Sequence, residues 1–231
     1  MKRFYKHATL VPVEGGHGVH LDGRPVRTPA RAMLLLPTQA LGEAVVAEWS
    51  GQGDTIDPRS MTATGLANAA IDQIASDAAG FAAGIARYGE SDLLCYRAEA
   101  PAGLVQRQTD AWEPLLDWAR HRYDIAFRVT HGILPVPQPA ETLVRLNHAV
   151  AVLDPFLLAG LATLVSIGGS LVCGLALIEG AADAESIWRA TELDELWQAE
   201  LWGEDAQAAA HRTLRRAEFD AAVAFCRMVR G

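Results

Sequence analysis

An uncharged segment places the tightest limit on how this chain can fold. The range Pro155–Ile178 contains no charged side chain, and an apolar run of that length could cross a bilayer as one helix. However, Gly168-Gly169 interrupts it near the middle, and Asp154 and Glu179 close it at both ends. Neither end carries the Lys/Arg cluster that orients a membrane helix. We therefore predict two buried helices and no membrane insertion.

The first third of the chain has the pattern of short strands. The turn pairs Gly15-Gly16 and Asp22-Gly23 divide it, and Asp-Gly favours a hairpin because both residues tolerate positive φ. A sheet this small is marginally stable alone, so we expect it to pack against helices. The predicted strands are Ala8–Val13, His17–Leu21, Pro25–Thr28 and Met33–Leu36.

From Thr38 onward the pattern is helical. Thr38 can cap a helix that runs through Trp49 and ends at Gly51 and Gly53. Strands followed by helices indicate an α+β fold, with a small N-terminal β domain (residues 1–75) and a larger all-helical C-terminal domain (residues 76–231). Further helices are predicted at Met61–Ile74, Ala78–Tyr88, Leu104–Tyr123, Glu141–Leu153, Asp154–Ile167, Ser170–Glu179, Ala184–Trp202 and Asp205–Arg230, with a short strand at Phe127–Ile133.

The overall charge limits the kind of partner. A net charge of −8 and a pI near 5.3 argue against binding nucleic acid or an anionic membrane surface, since both require a basic patch. A protein partner with exposed arginines or lysines fits better. The three cysteines are scattered without a CxxC pair, which indicates buried thiols in a reducing compartment. No secretory signal is apparent, so the cytoplasm is the expected location.

Several motifs that resemble functional sites have simpler interpretations. Gly15–Gly18 opens a strand and is therefore a turn, not a phosphate loop. The histidines lack metal-ligand spacing, so neither a metal nor another cofactor is predicted. Cys95 has no base nearby that would make it a nucleophile. In the same segment we expect Ser91 or Asp92 to cap a short turn, and Asp92 to pair with Arg97.

An acidic cluster beside two tryptophans is the best candidate for a functional site. On one predicted helix, Glu192 and Glu195 are three residues apart and Asp194 and Gln198 four apart, which gives two neighbouring polar stripes. The cluster is either a solvated helix face or a surface for a cationic partner. Paired carboxylates could also serve a small hydrolase or transferase, although no nucleophile accompanies them. The acids are Glu192, Asp194, Glu195, Glu200, Glu204 and Asp205, and the tryptophans are Trp197 and Trp202.

A series of short motifs lies along most of the chain. They are Arg3-Phe4-Tyr5-Lys6, Leu21–Pro29, Glu48-Trp49 with Gln52, Leu66-Ala67 with Ala70-Ile71-Asp72, Asp92–Ala98, Trp112, Pro114–Trp118, Gly169–Val172, Leu193-Asp194-Glu195 with Gln198, and Trp202-Gly203. Each motif alone is weak, but their number and order make a specific resemblance. Together they resemble the motifs of the ATP-twelve family, assembly chaperones for the catalytic head of ATP synthase.

The resemblance implies a non-enzymatic chaperone that binds newly made α subunit of the catalytic head until the β subunit replaces it. It places an important acidic residue at Glu195, with Asp194 as the alternative, and the surrounding surface would include Glu192, Gln198 and Trp202. Organellar relatives would work in the mitochondrial matrix.

Two structural expectations accompany this interpretation. The resemblance implies that Trp49 holds the β unit against the helices. The proposed acidic surface also requires that these carboxylates are not neutralised by the chain's own arginines.

Overall fold

The computed structural model describes residues 1–132 and 134–231, which form two compact units. The N-terminal unit comprises residues 1–78, 154–160 and 224–231, and the helical unit comprises residues 79–153 and 161–223. An antiparallel sheet followed by a mostly helical remainder confirms the α+β fold class. The predicted domain boundary between residues 75 and 76 stays a prediction.

The N-terminal sheet is built around one hairpin. Strand β1 (Ala8–Val13) pairs antiparallel with β2 (Gly16–Leu21), and β2 also pairs with β3 (Arg24–Pro25) and β4 (Leu35–Leu36). The predicted Asp22-Gly23 turn is confirmed, with φ of 47° and 81°. β3 covers Arg24–Pro25 where Pro25–Thr28 was predicted, although Val26 beyond it still donates its N–H to the Val19 carbonyl of β2 at 2.8 Å.

Helix α1 (Gln39–Ser50) begins as predicted at Thr38, whose hydroxyl accepts the N–H of Leu41 at 3.2 Å. The Glu48 carboxylate then accepts the N–H groups of Ala63 and Thr64 at 2.6 and 2.8 Å. It thereby satisfies free donors in the first turn of α2 (Thr62–Ala69). The segment predicted as one α-helix continues from Ala70 to Ile74 as a π-helical turn.

Helices make up most of the remaining part of the chain that the structure describes. One short parallel pair, β5 (Tyr96–Arg97) with β6 (Thr130–His131), interrupts the otherwise helical part. Ile133, the end of the predicted strand there, lies outside the described residues. The helices are α3 (Ala78–Ala86), α4 (Ala102–Tyr123), α5 (Ala140–Ala151), α6 (Pro155–Gly168), α7 (Leu171–Glu179), α8 (Ala184–Thr191), α9 (Leu193–Trp202) and α10 (Ala206–Arg230).

The uncharged segment forms two helices, as predicted. α6 and α7 are separated at Gly169, whose φ of +65° suits glycine, and Ser170 caps α7 by accepting the N–H of Cys173 at 3.1 Å. Apart from Leu177, residues 171–178 are buried. Within the described part of the chain, no helix is both long enough and apolar enough to cross a membrane.

The prediction of one helix over Ala184–Trp202 was wrong, because the chain breaks at Glu192. Glu192 adopts φ −96° and ψ 7° between α8 and α9. The carbonyl of Ala190 accepts the indole N–H of Trp112 at 2.8 Å. In a continuous helix that carbonyl would instead accept a backbone N–H four residues later.

Candidate functional site

Glu192 lies inside the helical unit and not on its surface. Its side chain is 1% exposed, and Arg215 donates to its Oε1 at 2.6 Å. The guanidinium of Arg212 lies 3.8 Å from its Oε2. Burial raises the pKa of Glu192 above the ordinary glutamate value, and Arg215 opposes that rise. The predicted surface role for Glu192 is therefore wrong, and its position suits a structural role.

Three of the predicted site residues form one exposed stripe on α9. Glu195, Gln198 and Trp202 are spaced three and four residues apart, so they share a helix face, and all three are exposed. Trp202 is 78% exposed. The nearest cation to Glu195 is Arg215, at 3.4 Å. This stripe, Glu195–Gln198–Trp202, is the accessible part of the predicted site.

Asp194 faces away from this stripe, toward α4. Its carboxylate accepts the side-chain amide of Gln108 at 2.7 Å. Trp197 lies on the same side, close to the Gly103 backbone, and the Arg107 guanidinium stacks over its ring at 4.7 Å. Asp194 and Trp197 therefore help to dock α9 against α4, so the structure separates Asp194 from Glu195.

The other acids of the cluster are also engaged within the chain. Arg107 donates to Glu200 at 2.7 Å, and Arg212 donates to Glu204 at 2.7 Å. The Asp205 carboxylate accepts the N–H of Ala208 at 2.9 Å at the start of α10. The expected carboxylate face, free of the chain's own arginines, is therefore not what the structure contains. Its acids cannot carry a binding site by charge alone.

An open groove in the helical unit offers a different kind of binding surface. Helices α4, α8, α9 and α10 line it, and its volume is about 1220 Å³. Charged side chains at its edge, such as Arg216 and Glu185, pair with one another at 2.8 Å. Its apolar lining includes Ala111, Pro114, Leu115, Trp118, Leu193 and Leu196.

The sequence analysis missed this groove, although part of its signal was present. Leu193 and Leu196 are three residues apart on α9, and Pro114 and Trp118 are four apart on α4. These spacings predict apolar helix faces. They do not reveal whether such a face is covered by the fold or left open.

Asp92 and Arg97 are both buried, but they have different partners. Asp92 accepts the N–H of Leu94 at 3.1 Å, as predicted for a turn cap, and also the N–H of Val172 at 3.0 Å, at the start of α7. Complete burial raises its pKa. Arg97 forms its ion pair with Glu113 at 3.0 Å, so the predicted pairing with Asp92 was wrong.

Trp49 packs inside the N-terminal unit. Its ring meets that of Tyr5 edge-on at 5.6 Å between centroids, and its carbonyl accepts the Tyr5 hydroxyl at 2.6 Å. Because Trp49 belongs to α1, these contacts join the chain's first residues to that helix.

The cysteines have the character of core residues. Cys95, Cys173 and Cys226 are free and buried, as predicted, and burial raises the pKa of each thiol to about 12. A thiol with such a pKa is a poor nucleophile at neutral pH. Among residues 1–132 and 134–231, no group of three or more His, Cys, Asp or Glu side chains is arranged to hold a metal ion.

Comparison with known proteins identifies the family. The model of the ATP12 chaperone protein family matches residues 2–120, just over half of the chain. The crystal structure of Atp12 from Paracoccus denitrificans is 42% identical and superposes with a TM-score of 0.94, covering 99% of this chain and 98% of that one. A structure of an Asp-to-Lys mutant of the same protein gives the same identity and TM-score, covering 99% of this chain and 97% of that one.

A eukaryotic relative extends this likeness. The mitochondrial protein atp12 of Schizosaccharomyces pombe is 23% identical over 214 residues, which is 87% of this chain and 74% of that protein. A family match over half of the chain, together with a full-length structural relative at 42% identity, is specific. The chain belongs to the ATP12 family of chaperone proteins.

Proposed function

We propose that this chain is a non-enzymatic chaperone for ATP synthase assembly, which binds the unassembled α subunit of the catalytic head until the β subunit replaces it. Family membership supports this function. A lone α subunit exposes surface that it normally buries against its neighbours, and obligate interfaces commonly bury ~2,000 Å² or more. Such a surface invites aggregation unless another protein covers it.

The observation that carries the proposal is the open apolar groove, with an exposed tryptophan on one of the helices that line it. α9 contributes Leu193 and Leu196 to the groove and ends in Leu201 and Trp202, which are 54% and 78% exposed. Contiguous exposed apolar patches, unlike scattered apolar side chains, commonly mark binding sites, and tryptophan is enriched where proteins bind each other. We assign the groove and the stripe Glu195–Gln198–Trp202 to the α subunit.

In this proposal Glu195 selects the orientation of the bound subunit more than it supplies affinity. Its side chain is 55% exposed and its distance from Arg215 is 3.4 Å, so a partner's cation can approach it. Exposed ion pairs contribute about 0.2–1 kcal/mol. The apolar groove must therefore supply most of the binding free energy. Release follows from competition by the β subunit for the same surface of the α subunit.

An aggregation assay with purified α subunit tests the proposal. Wild-type protein should suppress light scattering, and Trp202→Ala and Leu196→Asp should each weaken that suppression at least about tenfold in the concentration required. Glu195→Lys should weaken it too, because like charge would meet the partner's cation. Glu218→Lys is the matched control, since Glu218 is an exposed acid on α10 that does not line the groove. Full protection by Leu196→Asp, with its fold intact, would contradict the proposal.

In the part of the chain that the structure describes, no geometry favours the alternative of a small hydrolase or transferase. That reading required a pocket beside Glu192 or Glu195 together with a carboxyl of perturbed pKa. The Glu192 carboxyl has a raised pKa but is enclosed, and neither glutamate lines the groove.

A further inference from the structure

The first 37 residues concentrate positive charge in a chain that is otherwise acidic. They carry six cationic side chains and two carboxylates, a net charge of +4. The remaining 194 residues carry 14 cations and 26 carboxylates, a net charge of −12. The overall charge of −8 therefore conceals a local basic region in and around the N-terminal sheet.

The cations of this region differ from those of the helical unit in their partners. Lys2, Lys6, Arg24, Arg27 and Arg31 are exposed, and none lies within 4 Å of a carboxylate oxygen among the described residues. The region's two carboxylates do not balance them. Asp22 accepts the backbone N–H groups of Lys6 and His7 at 3.0 and 2.9 Å, which lowers its pKa through the hydrogen bonds.

A hydrogen-bonded loop presents one of these cations, Arg31. Within residues 28–32, the N–H of Arg31 donates to the Thr28 carbonyl at 2.8 Å, and the Thr28 hydroxyl accepts the N–H of Ala32 at 3.1 Å. Asp72 accepts the N–H of Ala30 at 2.9 Å. Arg31 itself has φ +71°, a left-handed conformation that is strained for a residue with a side chain. The loop is thus fixed before any partner arrives.

Apolar groups accompany the cations on this surface. Arg27 pairs with Met33 across an isolated bridge, and Arg27 also donates to the Arg31 carbonyl at 2.9 Å, so these three residues are adjacent. Met33 is 46% exposed. Cations beside an exposed thioether on a preformed loop suit a segment that offers both carboxylates and apolar side chains.

We propose that the surface formed by Arg24, Arg27, Arg31 and Met33 is a second docking site, which binds a short acidic and partly apolar segment of a protein partner. Charge complementarity favours this occupant, because the three arginines have no carboxylate partner among residues 1–132 and 134–231. A protein segment is favoured over nucleic acid or an anionic membrane because the chain's net charge of −8 repels an extended polyanion. None of these four residues lines the groove assigned to the α subunit.

Fluorescence anisotropy with a labelled peptide of alternating glutamate and leucine tests this inference on the full chain. We expect binding that weakens about tenfold in the double variant Arg27→Gln/Arg31→Asn, and weakens similarly when salt is raised, since exposed charges are screened. Asparagine at position 31 tolerates the left-handed backbone. Arg59→Gln, an exposed arginine of the same unit outside the loop, should bind like wild type.

The other ligands complete the test. A peptide with lysine in place of glutamate, a single-stranded oligonucleotide and phosphatidylserine vesicles should all bind more weakly than the acidic peptide. Absence of acidic-peptide binding, equal binding by the double variant, or tighter binding of the oligonucleotide or the vesicles would each overturn the inference. This inference rests on a different surface from the proposed function. Suppression of α-subunit aggregation depends on the groove and not on this loop, so failure of peptide binding would leave the proposed function standing.

Discussion

The two units differ in whether their arginines are paired with carboxylates. In the helical unit, carboxylates pair with arginines from distant parts of the sequence, as Glu192 does with Arg215 and Glu200 with Arg107. In the N-terminal unit, Glu48 and Asp72 accept backbone N–H groups, as Asp92 does in the helical unit, and no exposed arginine among its described residues has a carboxylate partner. The helical unit therefore offers a partner mainly apolar surface, whereas the N-terminal unit offers charge. The many acidic residues in the sequence of the helical unit would instead suggest that this unit binds its partner by charge.

The largest expected effect concerns the buried ion pairs of the helical unit. Glu192→Ala should lower the free energy of unfolding by about 2–4 kcal/mol, because it leaves Arg212 and Arg215 without their buried carboxylate. This loss of stability should be slightly smaller than for a fully buried ion pair, because the Arg215 side chain is 37% exposed. Urea unfolding measures the loss. Glu195→Ala is the control and should cost under about 1 kcal/mol. Equal losses would show that the two glutamates do not differ in role.

Asp92 provides the second test of how the helical unit uses its acids. Asp92→Ala should lower the free energy of unfolding by about 2–3 kcal/mol, because the buried N–H groups of Leu94 and Val172 lose their acceptor. Thermal melting of the variant checks this. Asp92→Asn, which keeps one acceptor oxygen, should recover part of the loss, and a melt indistinguishable from wild type would contradict the assigned role.

A smaller effect is expected from titration of Glu192. Burial raises its folded-state pKa above the ordinary value of 4.5, so the native state binds this proton more tightly than the unfolded state does. Its contribution is therefore fully present below pH 4.5 and is lost as the pH rises through the folded-state pKa. Relative to Glu192→Gln, wild type should become less stable as the pH rises from 4.5 through the folded-state pKa. Unfolding curves measured across this pH range test the prediction. If the attraction of Arg215 outweighed burial, the stability of wild type relative to the variant would rise with pH instead.

The smallest effect belongs to the N-terminal unit. Arg27→Gln with Arg31→Asn should change the free energy of unfolding by no more than about 0.5 kcal/mol, since exposed side chains without ionic partners contribute little. Differential scanning calorimetry would detect a larger loss. Such a loss would mean that these cations stabilise the fold, and the contrast between the two units would then disappear.

Local features of the fold could be predicted because a few neighbouring residues determine them. The Asp22-Gly23 turn, the Thr38 cap and the break at Gly169 each follow from backbone preferences of the residues involved. The break at Glu192 could not be predicted in this way. It accompanies a hydrogen bond from Trp112, 78 residues away in sequence from Ala190.

The candidate site shows the same limit. Helical spacing grouped Glu192 with Glu195 and Asp194 with Gln198, whereas the structure places Gln198 with Glu195 and Trp202 on one exposed face. It could not show that Glu192 is enclosed by Arg215, 23 residues later. Nor could it show that four helices leave an apolar groove open, because that depends on tertiary packing.

The most direct test of the account is hydrogen–deuterium exchange of this chain, free and in complex with purified α subunit. The account predicts slower exchange on binding along α9 and along the part of α4 between Arg107 and Trp118, which line the groove. Trp202→Ala should diminish that protection. A stable complex in which α9 and this part of α4 exchange as in the free protein would contradict the central claim that the groove holds the α subunit.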